Sequence, residues 1–114
     1  MTPNFLGGDE LLEMLAALAN PIRLRILAQL AGGRDYVSHL AREIGVSRPL
    51  VHMHLQRLEA VGLVTGRLEL SEDGKALKFY DVERFDLHLT AATVAAAVRT
   101  LTSADPQVSA KEDS

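Results

Sequence analysis

YVSHLAREIGVSRPLVHMHLQRLEAVGLV, running from Tyr36 to Val64, is the stretch around which the rest of the chain can be organised. It reads as a helix, a tight turn and a second helix. Ala41 sits four residues before Gly45, and Val51 lies six beyond it. Two helices crossing at a steep angle need a small side chain where they touch, and Ala41 supplies it. The chain must then reverse within a few residues, which favours positive φ, and Gly45 adopts that without a Cβ clash. Ser47 is placed to cap the next helix, its hydroxyl accepting an orphan N–H of the first turn. Pro49 falls inside that turn, where its missing N–H removes no helix hydrogen bond. Val51, Leu55 and Leu58 then recur at i, i+4 and i+7 as a core stripe. Gly62 is a suitable residue on which to stop. The opposite face carries Arg48, Pro49, His52, Met53, Gln56 and Arg57. A helix packed on one side and offering guanidinium, imidazole and amide groups on the other fits the major groove of DNA. The same helix–turn–helix geometry also occurs in modules that bind other proteins, so two function classes follow from it.

A chain of 114 residues with 47% apolar content suits a single core. It has no apolar run of about 18 residues, the length a membrane-spanning helix requires. The opening MTPNFLGGDE lacks the basic and apolar regions of a signal peptide. The absence of cysteine excludes disulfides and thiolate metal sites. The expectation is a soluble, cytoplasmic protein with no membrane partner. There is no cysteine nucleophile, glycine-rich phosphate loop or HExxH, so the sequence does not read as an enzyme. Net charge is −3, which by itself argues against a polyanionic partner, but its distribution is uneven. Residues 1–20 carry three acids and no base, whereas residues 21–57 carry six arginines against Asp35 and Glu43. The positive excess is confined to the segment holding the helix–turn–helix, as expected of a small DNA binder.

Residues 1–8, with Pro3 and the Gly7–Gly8 pair, read as a flexible terminus ahead of a domain spanning 9–103. Asp9 opens a helix through Asn20, with Leu11, Leu12, Met14, Leu15 and Leu18 covering more than half its circumference. So wide an apolar surface exceeds what one side of a small core can bury. Asn20-Pro21 is a cap followed by proline, so a new helix starts there. Ile22, Ile26, Leu27 and Leu30 form its buried stripe, and Gly32-Gly33 ends it. Arg23 and Arg25 are expected to snorkel or to pair with acids, with a phosphate contact as the lesser alternative. Beyond the helix–turn–helix, Gly66, Leu68 and Leu70 alternate with Thr65, Arg67 and Glu69, the period of a half-buried strand. Asp73-Gly74 signals a hairpin, and Ala76 to Val82 makes the return strand. A β-hairpin directly after such a helix is a wing. Arg67, Lys75 and Lys78 could carry it to phosphate or the minor groove, opposed by Glu69, Glu72 and Asp73.

Glu83 to about Ser103 reads as the last helix. Leu87, Ala91, Val94, Val98 and Leu101 are spaced as a narrow seam, and Ala92, Ala95, Ala96 and Ala97 widen it. A monomer would expose this surface, so a two-fold interface between first and last helices is expected, with Leu11 and Leu15 contributing. A symmetric dimer would present two recognition helices roughly one DNA turn apart. The fold expected is therefore mainly α, a winged helix-turn-helix of five helices plus a two-stranded wing. From 104 to 114 the chain turns polar and reads as a disordered tail.

LANPIRLRIL (Leu18–Leu27), LAREIGVS (Leu40–Ser47), HLQRLEAVGLV (His54–Val64) and the Phe79-Tyr80 pair together resemble the ArsR/SmtB winged-helix regulators over residues 10 to about 101. The resemblance implies a homodimer that binds double-stranded DNA at an operator, commonly a repressor released by a small ligand. The alternative is an interaction module acting through a partner protein that holds the effector site. This chain departs from the family pattern at His52, where serine is common, and at Pro49, early in the recognition helix. Both imply an altered base preference.

The family's ligands are often metals. One of its sites uses a cysteine pair, and the corresponding Asp35-Tyr36-Val37-Ser38-His39 has no thiol. Another begins with an Asp-x-His pair, which Asp86-Leu87-His88 matches, but its second half falls on Arg99 and Thr102. An arginine there would repel a cation. Asp86 and His88 are thus candidates for a weak zinc or nickel site at best, and the competing reading makes them a helix-capping Asp and a surface His. His52 and His54 lie about 200° apart around a helix and cannot chelate one ion. His39 reads as an ordinary, partly exposed histidine.

Overall fold

Asn20 caps the start of a helix two residues after the preceding one ends, and the fold is set by several such local decisions. In a computed structural model of the chain, residues 6–102 are described. The elements are α1 (Gly8–Leu18), α2 (Pro21–Ala31), β1 (Asp35–Tyr36), α3 (Val37–Ile44), α4 (Arg48–Ala60), β2 (Val64–Leu70), β3 (Ala76–Val82) and α5 (Ala91–Val98). The Asn20 side chain accepts the N–H groups of Ile22 and Arg23 at 2.9 and 3.1 Å, and Pro21 enters α2 where no N–H is required. Gly45 closes α3 at φ 84°, its N–H donating to the Ala41 carbonyl at 2.8 Å. Ser47 caps α4, as its position predicts, through the Leu50 N–H at 3.3 Å. After α4, Gly62 takes positive φ and the Leu63 N–H returns to the Leu58 carbonyl at 2.9 Å.

The described chain divides into two units, one of Ala16–Phe85 and one of residues 6–15 with 86–102; α1 begins in the second and ends in the first. The core of Ala16–Phe85 is built from Ile26, Leu27 and Leu30 of α2, Leu40 and Ala41 of α3, and Val51, Leu55 and Leu58 of α4. Leu63, Val64 and Tyr80 close it from the sheet side. Ile22, expected in the α2 stripe, is only half-buried.

The structure departs from expectation in the sheet, in the wing and before the last helix. The sheet has three antiparallel strands rather than two, in the order β1-β3-β2. Asp35 and Tyr36 pair with Tyr80 and Phe79, and the Tyr36 and Phe79 rings meet edge to face at 5.5 Å. Within the hairpin, Val64 is buried, but Leu68 and Leu70 are 73% and 78% exposed, so the alternating stripe is not half-buried along its length. The segment from 83 to 90 is not helical. The Glu83 N–H still donates to the Leu63 carbonyl at 2.8 Å, and the Thr65 hydroxyl donates to the Glu83 carboxylate. These bonds hold Glu83 beside the start of β2.

In the second unit, α5 begins only at Thr90, whose hydroxyl accepts the Thr93 N–H at 3.1 Å while the Thr93 hydroxyl accepts the Thr90 N–H at 2.9 Å. This reciprocal pair is the cap, and Asp86 is not. Gly8 lies so close to α5 that a Cβ there would meet the Ala97 carbonyl oxygen at 2.4 Å. Its N–H donates to the Thr100 hydroxyl at 2.8 Å, and the Asp9 carboxylate accepts the Thr102 N–H at 2.8 Å. The expected flexible start and polar tail fall largely on residues 1–5 and 103–114, outside the described residues, as does Ser103.

Candidate nucleic-acid interface

Helix α4 has two unlike faces. Val51, Leu55 and Leu58 are each 0% exposed, and His54 joins them on the buried side. Arg48, Pro49, His52, Met53, Gln56 and Arg57 are all exposed, with Ser47 exposed at the cap. The residues expected to face a nucleic acid are therefore gathered on one surface of one helix. Guanidinium groups there can donate two parallel hydrogen bonds to guanine, and an amide can do the same for adenine.

The wing cations are placed differently. Arg67 forms an ion pair with Asp81 at 3.0 Å, and the Lys78 ammonium lies 5.3 Å from the centre of the Tyr80 ring. Lys75 sits in the hairpin loop, its backbone N–H held by the Ser71 hydroxyl at 3.2 Å. Of the opposing acids, Glu69 pairs with Arg34, which also lies 4.9 Å from the Phe79 ring centre. The Ser71 hydroxyl, more than any other neighbour, holds the Asp73 carboxyl below its usual range.

Arg23 departs from expectation. It neither snorkels nor pairs with an acid. Its Nε–H donates to the Ala17 carbonyl at 2.6 Å and an Nη2–H to the Ala16 carbonyl at 3.2 Å. Its Nη1 lies 3.0 Å from the Nδ1 of His54. Arginine can only donate, so Nδ1 must accept, and the imidazole is neutral with its proton on Nε2. Burial pushes the His54 pKa down from its ordinary value, and the Arg23 and Arg57 charges add to that. Sequence reading misses this contact because the two residues are 31 apart and nothing in either motif reports the other. His39 is likewise more than a partly exposed histidine. Its Nδ1 is 2.6 Å from the buried Asp35 carboxylate and its Nε2 is 3.5 Å from Glu43.

The metal candidates Asp86 and His88 lie in the non-helical run before α5, where the His88 carbonyl accepts the Thr93 hydroxyl at 2.8 Å. Among the described residues no three His, Asp or Glu side chains gather as a metal would need. Thr102, the far end of the family's pattern, is instead bonded to Asp9. The donor set does not fit a tightly held ion.

The family model for bacterial regulatory proteins of the arsR type matches residues 20–65, from the α2 cap through the start of the wing. The uncharacterized HTH-type transcriptional regulator MJ0229 of Methanocaldococcus jannaschii is 36% identical over 80 residues, covering 70% of this chain and 83% of that protein. The chain belongs to the ArsR family. It is accordingly a DNA-binding, winged helix-turn-helix transcriptional regulator and not an enzyme. Among other relatives, the HTH-type transcriptional repressor SmtB of Mycobacterium tuberculosis is 44% identical over 54 residues, 47% of this chain but only 40% of that repressor. The solution structure of the homodimeric winged helix-turn-helix DNA-binding domain Mb0332 of Mycobacterium bovis is similar at a TM-score of 0.58 and 27% identity, covering 92% of this chain and 82% of that one. No helix among the described residues of this ArsR-family chain is long and apolar enough to cross a membrane.

The neutral, buried His54 generates a pH prediction. Its folded pKa lies below that of the unfolded chain, so unfolding takes up protons on the acid side. Its share of stability should be complete above about pH 6.5, the unfolded value, and should be lost as pH falls towards the folded one. Urea midpoints measured from pH 8 to 5 should fall on the acid side more steeply for the wild type than for His54→Gln. Equal slopes would show that folding leaves the His54 pKa unchanged.

Proposed function

We propose that the chain binds an operator as a homodimer, with α4 in the major groove, and acts as a repressor released by a small ligand. The observation that carries this reading is the outward face of α4, where Arg48, His52, Met53, Gln56 and Arg57 stand together in solvent while the inner face is closed to water. The arginine excess of residues 21–57 supports it, and so does the naming of SmtB as a repressor. In this reading Arg48, His52 and Gln56 face base edges, with Ser47 and Arg57 nearer the backbone. Arg67, Lys75 and Lys78 of the wing add sequence-independent contacts. Footprinting on DNA flanking the protein's own gene tests the whole proposal; binding only to a partner protein would favour the interaction-module alternative.

The dimer interface of this proposal comprises Leu11 and Leu15 of α1, Leu87, Ala91, Val94 and Val98 of the C-terminal segment, and Leu101. In the single chain Val94 and Val98 are 43% and 56% exposed, and Leu12 and Leu89 are about as open. An eight-residue helix of alanine and valine with one threonine, presenting so much apolar surface, is suited to a second copy. The Mb0332 domain, similar in fold, is itself homodimeric.

Three outcomes are expected. Arg48→Ala should weaken specific binding by about 1–3 kcal/mol and random-sequence binding by less, as read by gel shift. If Arg48→Ala and His52→Ala both bind as the wild type while wing variants fail, α4 is not the reading helix. Val94→Glu would place a charge against its symmetry mate at a cost of several kcal/mol, on the order of that for an unpaired buried charge, so sedimentation should show a monomer with no operator binding. A Val94→Glu dimer of unchanged tightness would move the interface elsewhere. Zinc or nickel, titrated into the protein–DNA complex, should bind with micromolar affinity or weaker and change operator affinity by less than about fivefold. Nanomolar binding that releases DNA and is lost in His88→Ala would overturn that part of the reading.

A further inference from the structure

The Arg23–His54 contact does something that core packing alone does not require. Arg23 belongs to α2, His54 to the inner face of α4, and the carbonyls of Ala16 and Ala17 to the end of α1, so one guanidinium joins three helices. The last carbonyls of a helix have no N–H partner further along it, and the helix dipole leaves that end negative. A cation with several donors in a rigid plane answers both needs. The position of the fork is itself fixed, because the Arg23 backbone N–H is held by the Asn20 side chain at 3.1 Å.

We propose that Arg23 and His54 are positioning residues for operator recognition: the guanidinium fixes α4 against α2 and the last turn of α1, and it does so only while His54 is neutral. This rests on the reading of α4 as the helix that enters the groove. His54 lies two residues from His52 and Gln56 and three from Arg57, all on the outward face. A helix is stiff over one turn, so displacing the His54 ring displaces those side chains together.

Protonation would break the contact for two reasons. A doubly protonated imidazole has an N–H on each nitrogen, so Nδ1 would point a donor at the Arg23 donor 3.0 Å away. The charged groups acting on the ring are Arg23 from α2 and Arg57 from α4, both positive. The end of α1 contributes the Ala16 and Ala17 carbonyls, and the Arg23 fork already uses these. The imidazolium would therefore be repelled from its site. The geometry makes operator binding sensitive to acid through a residue on the side of α4 that faces the core rather than the DNA.

Two measurements test this. In the intact wild-type protein, long-range proton–nitrogen NMR spectra at pH 7.5 should show His54 as the neutral Nε2–H tautomer. An Nδ1–H tautomer or an imidazolium would overturn the proposal without any substitution. The second measurement is fluorescence anisotropy on the footprinted operator and on a random duplex of equal length, at fixed salt from pH 7.5 to 5.5. The wild type should lose operator affinity on the acid side, relative to random DNA, by about tenfold. His54→Gln offers a carbonyl acceptor that cannot be protonated, and should bind the operator within about threefold of wild type at pH 7.5 while losing most of that acid-side fall. Arg23→Lys keeps the charge but not the planar fork, and should lower the operator-to-random ratio by about tenfold at pH 7.5 with the far-UV spectrum unchanged. Arg23→Lys binding as wild type, or His54→Gln retaining the full acid-side fall, overturns the proposal. If the wild type never distinguishes operator from random DNA, the reading of α4 fails instead, and the NMR tautomer still decides the contact itself.

Discussion

The inner face of α4 must be removed from water, and the arrangement of residues 16–85 follows from that requirement. Val51, Leu55 and Leu58 are fully enclosed by α2, α3 and the sheet. Each such side chain contributes about 1.5–3 kcal/mol on burial, enough together to fix which way the helix is turned. Once it is fixed, the residues between the buried ones have no choice of direction. The chemistry displayed by Arg48, His52, Gln56 and Arg57 is thus a by-product of hydrophobic packing on the other side. The turn at Gly45 and the cap at Ser47 serve the same end, since they decide where α4 starts.

What can be read from the sequence follows the range of the forces involved. Asn20-Pro21, Gly45, Ser47 and Gly62 act within a few residues, and the structure places a helix boundary at each. The stripe of α4 is legible because three residues at helical spacing imply a shared face. Other features depend on partners far along the chain. Two residues at Asp35–Tyr36 are too few to show any period, and they become a strand only because β3 is there to pair with them. Leu68 and Leu70 alternate correctly, yet alternation says only that two faces differ, not that either is covered. Seam spacing from Leu87 to Leu101 suggests one long helix, but the helix starts only after the Thr90 cap. Of the candidate site, α4 is visible in the sequence and the Arg23–His54 contact is not.

Helix α5 illustrates how a short segment is held without a deep core of its own. Eight residues rich in alanine would be marginal as an isolated helix. The Thr90–Thr93 pair secures its start, and Gly8, Asp9, Thr100 and Thr102 secure its end through two hydrogen bonds to α1 residues. The close approach at Gly8 allows this, since any side chain there would meet the Ala97 carbonyl.

The ion pairs made by wing residues alter what the hairpin can offer a polyanion. Arg67 is matched by Asp81 and Arg34 by Glu69, so phosphate arriving at either must first displace a carboxylate. Such contact is an exchange of one anion for another, and its yield is the small difference between two similar attractions. An ion-paired guanidinium presents little net charge to the long-range field of a polyanion, whereas Arg48 and Arg57 on the outward face of α4 stand in solvent. A chain with a net negative charge can afford little indiscriminate adhesion, and cations matched in this way limit it further.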